Sequence, residues 1–124
     1  MARPRRAMIA TLAPLFAVTL GSTAALADYY GAIAFSQDSG SVGYSYDYPT
    51  QSAAEQRAMR ECADQDCMVV VWFRNACAAL AVGDGNGYGT GWAVRREDAE
   101  QIALSNCSQY ADNCDNNTWA CTTH

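Results

Sequence analysis

Apolar and polar positions change period several times along this chain, and the changes mark its elements. Tyr30 to Ser36 is a short apolar run that predicts a strand, and Gln37-Asp38-Ser39-Gly40 supplies turn residues. From Ser41 to Tyr48 aromatic and small polar residues alternate, the period of a second strand, so the pair makes a hairpin that Pro49 ends. Ala54, Ala58 and Cys62 then recur every four residues. They form a narrow stripe of small side chains on a helix that opens at Thr50 or Ser52, with Ser52 and Glu55 in capping-box spacing. Cys67 to Phe73 is apolar throughout and rich in valine, which predicts a buried central strand.

The same plan follows a second time. Cys77 to Val82 reads as a strand, Gly83 to Gly87 as a turn and Tyr88 to Val94 as a strand. Glu97 to Cys107 reads as a helix with the stripe Ala99, Ile102, Ala103 and Cys107, and Asn117 to Thr122 as a more polar edge strand. Tyr44–Cys62 aligns without gaps on Gly89–Cys107, setting Ala54-Glu55-Gln56 on Ala99-Glu100-Gln101 and Cys62 on Cys107. Cys67 precedes Trp72 by the same interval as Cys114 precedes Trp119. The expected fold is α+β: one domain over residues 28–124, made of two β-β-α-β repeats at about 29–75 and 76–124, with about six strands and two helices. Neither repeat buries enough surface alone, so the sheet strands are expected to be shared between them.

The N-terminal pattern differs from the rest. Arg3, Arg5 and Arg6 precede an apolar run from Ala7 to Leu20, and Ala25-Leu26-Ala27 has the form of a cleavage site. Residues 1–27 therefore read as a signal peptide, its apolar run short of the roughly 20 residues that span a bilayer. The expected location is periplasmic or secreted, with no membrane attachment after cleavage. Loss of the leader leaves five arginines and no lysine against thirteen acids, a net charge of −8. A surface of that sign repels phosphate backbones and anionic headgroups, which excludes nucleic acid as a partner class.

All six cysteines follow the leader, and an even count in a short exported chain reads as three disulfides. In each repeat one cysteine closes the helix and another opens the next strand, a hop short enough to bridge. Cys62–Cys67 and Cys107–Cys114 are therefore the preferred pairs. Cys77–Cys121 remains, and would tie the two repeats together. The C-x4-C and C-x6-C spacings and the single histidine, His124, do not match zinc-site patterns, and neither metal nor cofactor is expected.

The segments Tyr30-Gly31-Ala32-Ile33-Ala34 and Gly43-Tyr44-Ser45-Tyr46-Asp47-Tyr48-Pro49 are distinctive together. With Ala53-Ala54-Glu55-Gln56, Cys62 and the block from Val69 to Gly83, the chain resembles a bacterial exported family catalogued as domain of unknown function 4189. The resemblance covers nearly all of residues 28–124. It implies an exported, cysteine-rich α+β module without an established activity, and it carries over no catalytic residue.

Few side chains offer chemistry. Nucleophilic catalysis needs an oriented imidazole, whereas His124 is terminal and expected to fray, and the cysteines are committed to bonds. A glycosidase-type pair needs two acids about 5–10 Å apart, for which Glu55 and Glu100, at equivalent helix positions, are the candidates. The helix dipole favours an acid in each first turn whatever its use. Asp84-Gly85-Asn86-Gly87 begins like a calcium loop, but Arg95 stands where that loop needs its closing Glu, so it reads as a hairpin turn. Tyr44, Tyr46 and Tyr48 alternate on one strand face, and Trp92 lies in the equivalent strand. A tyrosine row beside a tryptophan is a candidate ligand platform, although the same rings would also fill a core short of large aliphatics. The reading that combines these features is a non-enzymatic exported binding module for a protein or cell-wall glycan, of inhibitor, immunity or effector type. The alternatives are a small envelope hydrolase using Glu55 and Glu100, and a structural or stress-protective envelope protein.

Overall fold

A computed structural model describes residues 27–124; the leader assigned to residues 1–27 lies, but for Ala27, outside the described residues. The elements run β1 (Tyr30–Phe35), β2 (Val42–Tyr48), α1 (Gln51–Cys62), β3 (Met68–Arg74), β4 (Cys77–Val82), β5 (Tyr88–Ala93), α2 (Arg96–Cys107) and β6 (Asp115–Cys121). They form two antiparallel three-stranded sheets of order β2-β1-β3 and β5-β4-β6, so both halves are β-β-α-β units with the same strand order. No strand passes from one half into the sheet of the other, contrary to the expectation of shared strands. What the halves share is the core between the sheets.

Alternation along the two central strands builds that core. Ala32 and Ala34 of β1 face α1 and pack on Ala54, Ala58 and Cys62. Ile33 and Phe35 face the other way and meet Ala78 and Leu80 of β4. In β4 the roles repeat, with Ala79 and Ala81 under Ala99, Ala103 and Cys107 of α2. The result is four layers, helix–sheet–sheet–helix, with the large side chains in the middle and small ones beneath each helix. Ile102, expected in the α2 stripe, is exposed, because the small residues alone suffice for a close helix–sheet contact.

The closeness of that contact is set by Gly43 and Gly89, which pair with Ala34 and Ala81. A Cβ on Gly43 would lie 2.2 Å from the Cys62 nitrogen, and one on Gly89 would lie 2.1 Å from the Cys107 nitrogen. These two glycines are therefore equivalent, and the gapless alignment, which set Tyr44 on Gly89, is out by one residue before the helix. The extra residue is Asp47, held at φ 64 in a β-bulge between the Tyr30↔Tyr48 and Ala32↔Ser45 pairs.

The opening of the first helix narrows to one of its two candidates, and two further expectations change. The helix α1 is capped by Thr50, whose side chain accepts from the Ala53 N–H, and Ser52 instead accepts from Gln56. The strand β3 is an edge strand and not central: the hairpin occupies one side of β1, and the crossover through α1 returns the chain to the other side. Disulfides join Cys62 to Cys67, Cys107 to Cys114 and Cys77 to Cys121. The last pair sits directly across β4 and β6, so it staples the second sheet internally and does not tie the halves.

Candidate ligand-binding grooves

The two sheets stack with β2 over β6 and β3 over β5, leaving a seam along each edge of the sandwich. At the first seam Tyr44 and Tyr46 are 47% and 46% exposed, beside Asn117, Thr118, Ala120 and Thr123, around a groove of about 530 Å³. Among the described residues no charged side chain lines it. At the second seam Val71, Phe73 and Arg74 meet Trp92, which is 62% exposed, around a groove of about 540 Å³.

The sequence platform is therefore divided. Tyr44 and Tyr46 share a face, as alternation requires, but the bulge at Asp47 turns Tyr48 to the opposite face, where it packs with Ala32 and Ala54 beneath α1. Trp92 is not beside the tyrosines, because β2 and β5 lie at opposite edges of their stacked sheets. The other two tryptophans occupy equivalent edge positions opposite Ala32 and Ala79. Trp72 leans on Tyr30 with ring centroids 6.3 Å apart, and Trp119 lies under the Arg96 guanidinium at 4.0 Å.

The bulge also anchors the end of the chain beside the first groove. Asp47 accepts from the Thr123 N–H at 2.9 Å and from its hydroxyl. Burial pushes the Asp47 carboxyl upward, but the two Thr123 bonds and the His124 charge outweigh it, leaving its pKa below the ordinary value. The His124 ring, expected at a frayed end, stacks on Tyr29 at 4.4 Å. Sequence reasoning missed Thr123 as a groove-lining residue and Asp47, outside the lining, as the residue that anchors it, since a positive-φ bulge has no signal in an alternating pattern.

Glu55 and Glu100 are not brought together. Their helices cover opposite outer faces of the two-sheet core. Glu55 accepts from Gln51 at 2.9 Å and Glu100 from Arg96 at 3.2 Å. The segment Asp84–Asn86 is a short 3-10 turn in which Asp84 accepts from Asn113. Gln37 and Asn86 join this turn to the β1–β2 turn by hydrogen bonds in both directions.

Comparison with known proteins places this architecture among relatives. The family described as Domain of unknown function (DUF4189) matches residues 30–121. Protein Rv1269c of Mycobacterium tuberculosis is 43% identical over 96 residues, covering 77% of this chain and 71% of its own. Rv1813c of the same organism is 38% identical over 77 residues, covering 62% of this chain and 52% of its own. The NMR structure of Rv1813c superimposes with a TM-score of 0.59 at 25% identity, covering 95% of this chain and 99% of that one.

Proposed function

The chain belongs to the DUF4189 family, and on that premise we propose that it is an exported, non-enzymatic binding module that holds an uncharged ligand segment in the Tyr44–Tyr46 groove. The observation that carries the reading is the groove's chemistry: two half-exposed tyrosine rings facing Asn117, Thr118 and Thr123, with no charge among the lining residues. Aromatic faces stack on the apolar faces of sugar rings, and neutral amides and hydroxyls match sugar hydroxyls, so a cell-wall glycan fits better than a charged peptide. Export is supported by the leader-like pattern of residues 1–27 and by three disulfides, which persist in oxidising compartments. The two halves, with their common strand order and common helix-to-strand disulfide, are read as copies of one unit.

Titration calorimetry with soluble wall-glycan fragments tests the reading. Tyr44→Ala combined with Tyr46→Ala is expected to weaken binding by about a hundredfold, since each stacked ring is worth roughly 0.5–1.5 kcal/mol beyond its buried area. Turnover of the fragments without a retained complex would sink the proposal.

A further inference from the structure

We propose that β3 is a dimerisation edge, on which two copies of this chain pair β3 with β3, antiparallel, about a two-fold axis. The inference is independent of the ligand-binding reading and uses the opposite edge of the sandwich.

The second half of the molecule provides an internal control. The strands β3 and β6 hold the same place: each is the third strand of its sheet, pairs with the central strand and follows a disulfide-closed helix. Each also carries a bulge at the same register, Val70 between the Ile33↔Val71 and Ala34↔Val69 pairs, and Asn117 between Leu80↔Thr118 and Ala81↔Asn116. At these equivalent positions β6 has Asp115, Asn116, Asn117 and Thr118, whereas β3 has Met68, Val69, Val70 and Val71. The fold does not require apolar side chains there, because the polar set builds the same strand. Yet Met68 is 58% and Trp72 45% exposed, and the apolar surface continues across the seam to Trp92. Between Met68 and Phe73 there is neither charge nor proline, two of the devices that keep an open edge from pairing; the third, a bulge, is present at Val70, so the pairing runs along the residues on either side of it.

Charge selects the occupant. Asp66 lies two residues before the strand, with Asp64 and Asp38 close by, and no cation pairs with it among the described residues. Repulsion from Asp38 holds the Asp66 carboxyl above the ordinary carboxylate range. At the other end Arg74 is the strand's one charge, exposed and held only at 3.9 Å by Asp28. Antiparallel apposition with Val70 on the axis sets Asp66 of each copy opposite Arg74 of the other, at both ends. Parallel apposition would set like charges together. A strand that is acidic before it starts, apolar along its length and cationic at its end is self-complementary, as an isologous interface demands. A foreign strand would have to reproduce that spacing, whereas a second copy has it by construction. Such a dimer would carry its two Tyr44–Tyr46 grooves outward, on the edges remote from the interface.

Sedimentation equilibrium on the oxidised protein purified after export tests the proposal. The expected result is a mass that rises to twice that of the polypeptide with concentration. Met68→Asp with Val70→Asn, the residue types β6 carries, should raise the dimer dissociation constant at least about a hundredfold. Asp66→Arg, on an exposed loop where folding is not at stake, should raise it about tenfold, and adding Arg74→Asp should restore it. A protein that stays monomeric at every concentration overturns the proposal. So does a dimer indifferent to the β3 substitutions, a charge reversal that fails to rescue, or a foreign strand cross-linked to β3 on a monomeric chain.

Discussion

Gly43 and Gly89 are the residues on which the helix–sheet distance depends, since the backbone of the overlying helix occupies the space that a side chain would need. At Gly43 the nearest atoms are the Ala58 oxygen and the Cys62 nitrogen, both at 2.2 Å, and neither can move without unwinding α1. Gly43→Ala is expected to cost about 3 kcal/mol, read as a lower urea midpoint. Gly85→Ala makes the contrast. Among the described residues nothing lies within 4 Å of its added methyl, and only the left-handed backbone at φ 66 is penalised, by about 1 kcal/mol. Both glycines are visible in the sequence, but their opposite roles are not, because close approach depends on where a helix comes to rest. Asp47 is similar: a single residue in an alternating stretch, it inserts a bulge, redirects Tyr48 and shifts the comparison of the halves by one place.

Among the elements, the helices were legible to within a residue or two, because small side chains at a spacing of four, with polar Gln56 and Arg60 midway between them, line one face of a helix but not one face of a strand. Their starts were less so. Ser52 and Glu55 satisfy the capping-box spacing, but Pro49 ends β2 early enough for the helix to begin at Gln51, which makes Thr50 the cap. Thr50→Ala should therefore destabilise by about 1 kcal/mol, and Ser52→Ala by no more than about 0.5, a difference that thermal unfolding of the two variants resolves. The strand β3 shows the limit of hydropathy. A continuous apolar run does mark a strand buried on both faces, and the rule holds for β1 and β4, whose alanines lie under a helix and whose large residues meet the other sheet. It misplaces β3, where the apolar residues stand at an open edge. Order in a sheet follows from how the crossover returns, and no local pattern encodes that.

For the whole molecule, the covalent staples and the central core divide the work of holding it closed. Two bonds close short loops, at sequence separations of 5 and 7, and one spans 44. In the chain-entropy account the short ones contribute about 2 kcal/mol each and the long one about 4. Replacing Cys77 and Cys121 together by alanine should therefore lower the guanidinium midpoint more than replacing Cys62 and Cys67. Complete reduction should abolish the cooperative transition, since those sums approach the whole stability of a domain this size. The halves themselves are joined through side chains, with Ile33, Phe35 and Phe73 of one sheet against Ala78, Leu80 and Ala120 of the other.

By itself the sequence determined the elements, the two-unit plan and the acidic, cysteine-rich character of residues 28–124, because periodicity, turn chemistry and composition act over a few residues at a time. Tertiary structure alone decided that each unit keeps its own sheet and that the tyrosines and Trp92 stand on opposite edges. It also decided that Glu55 and Glu100 never meet. Those outcomes depend on how two sheets stack and which edges they leave open, which is settled only when distant segments pack.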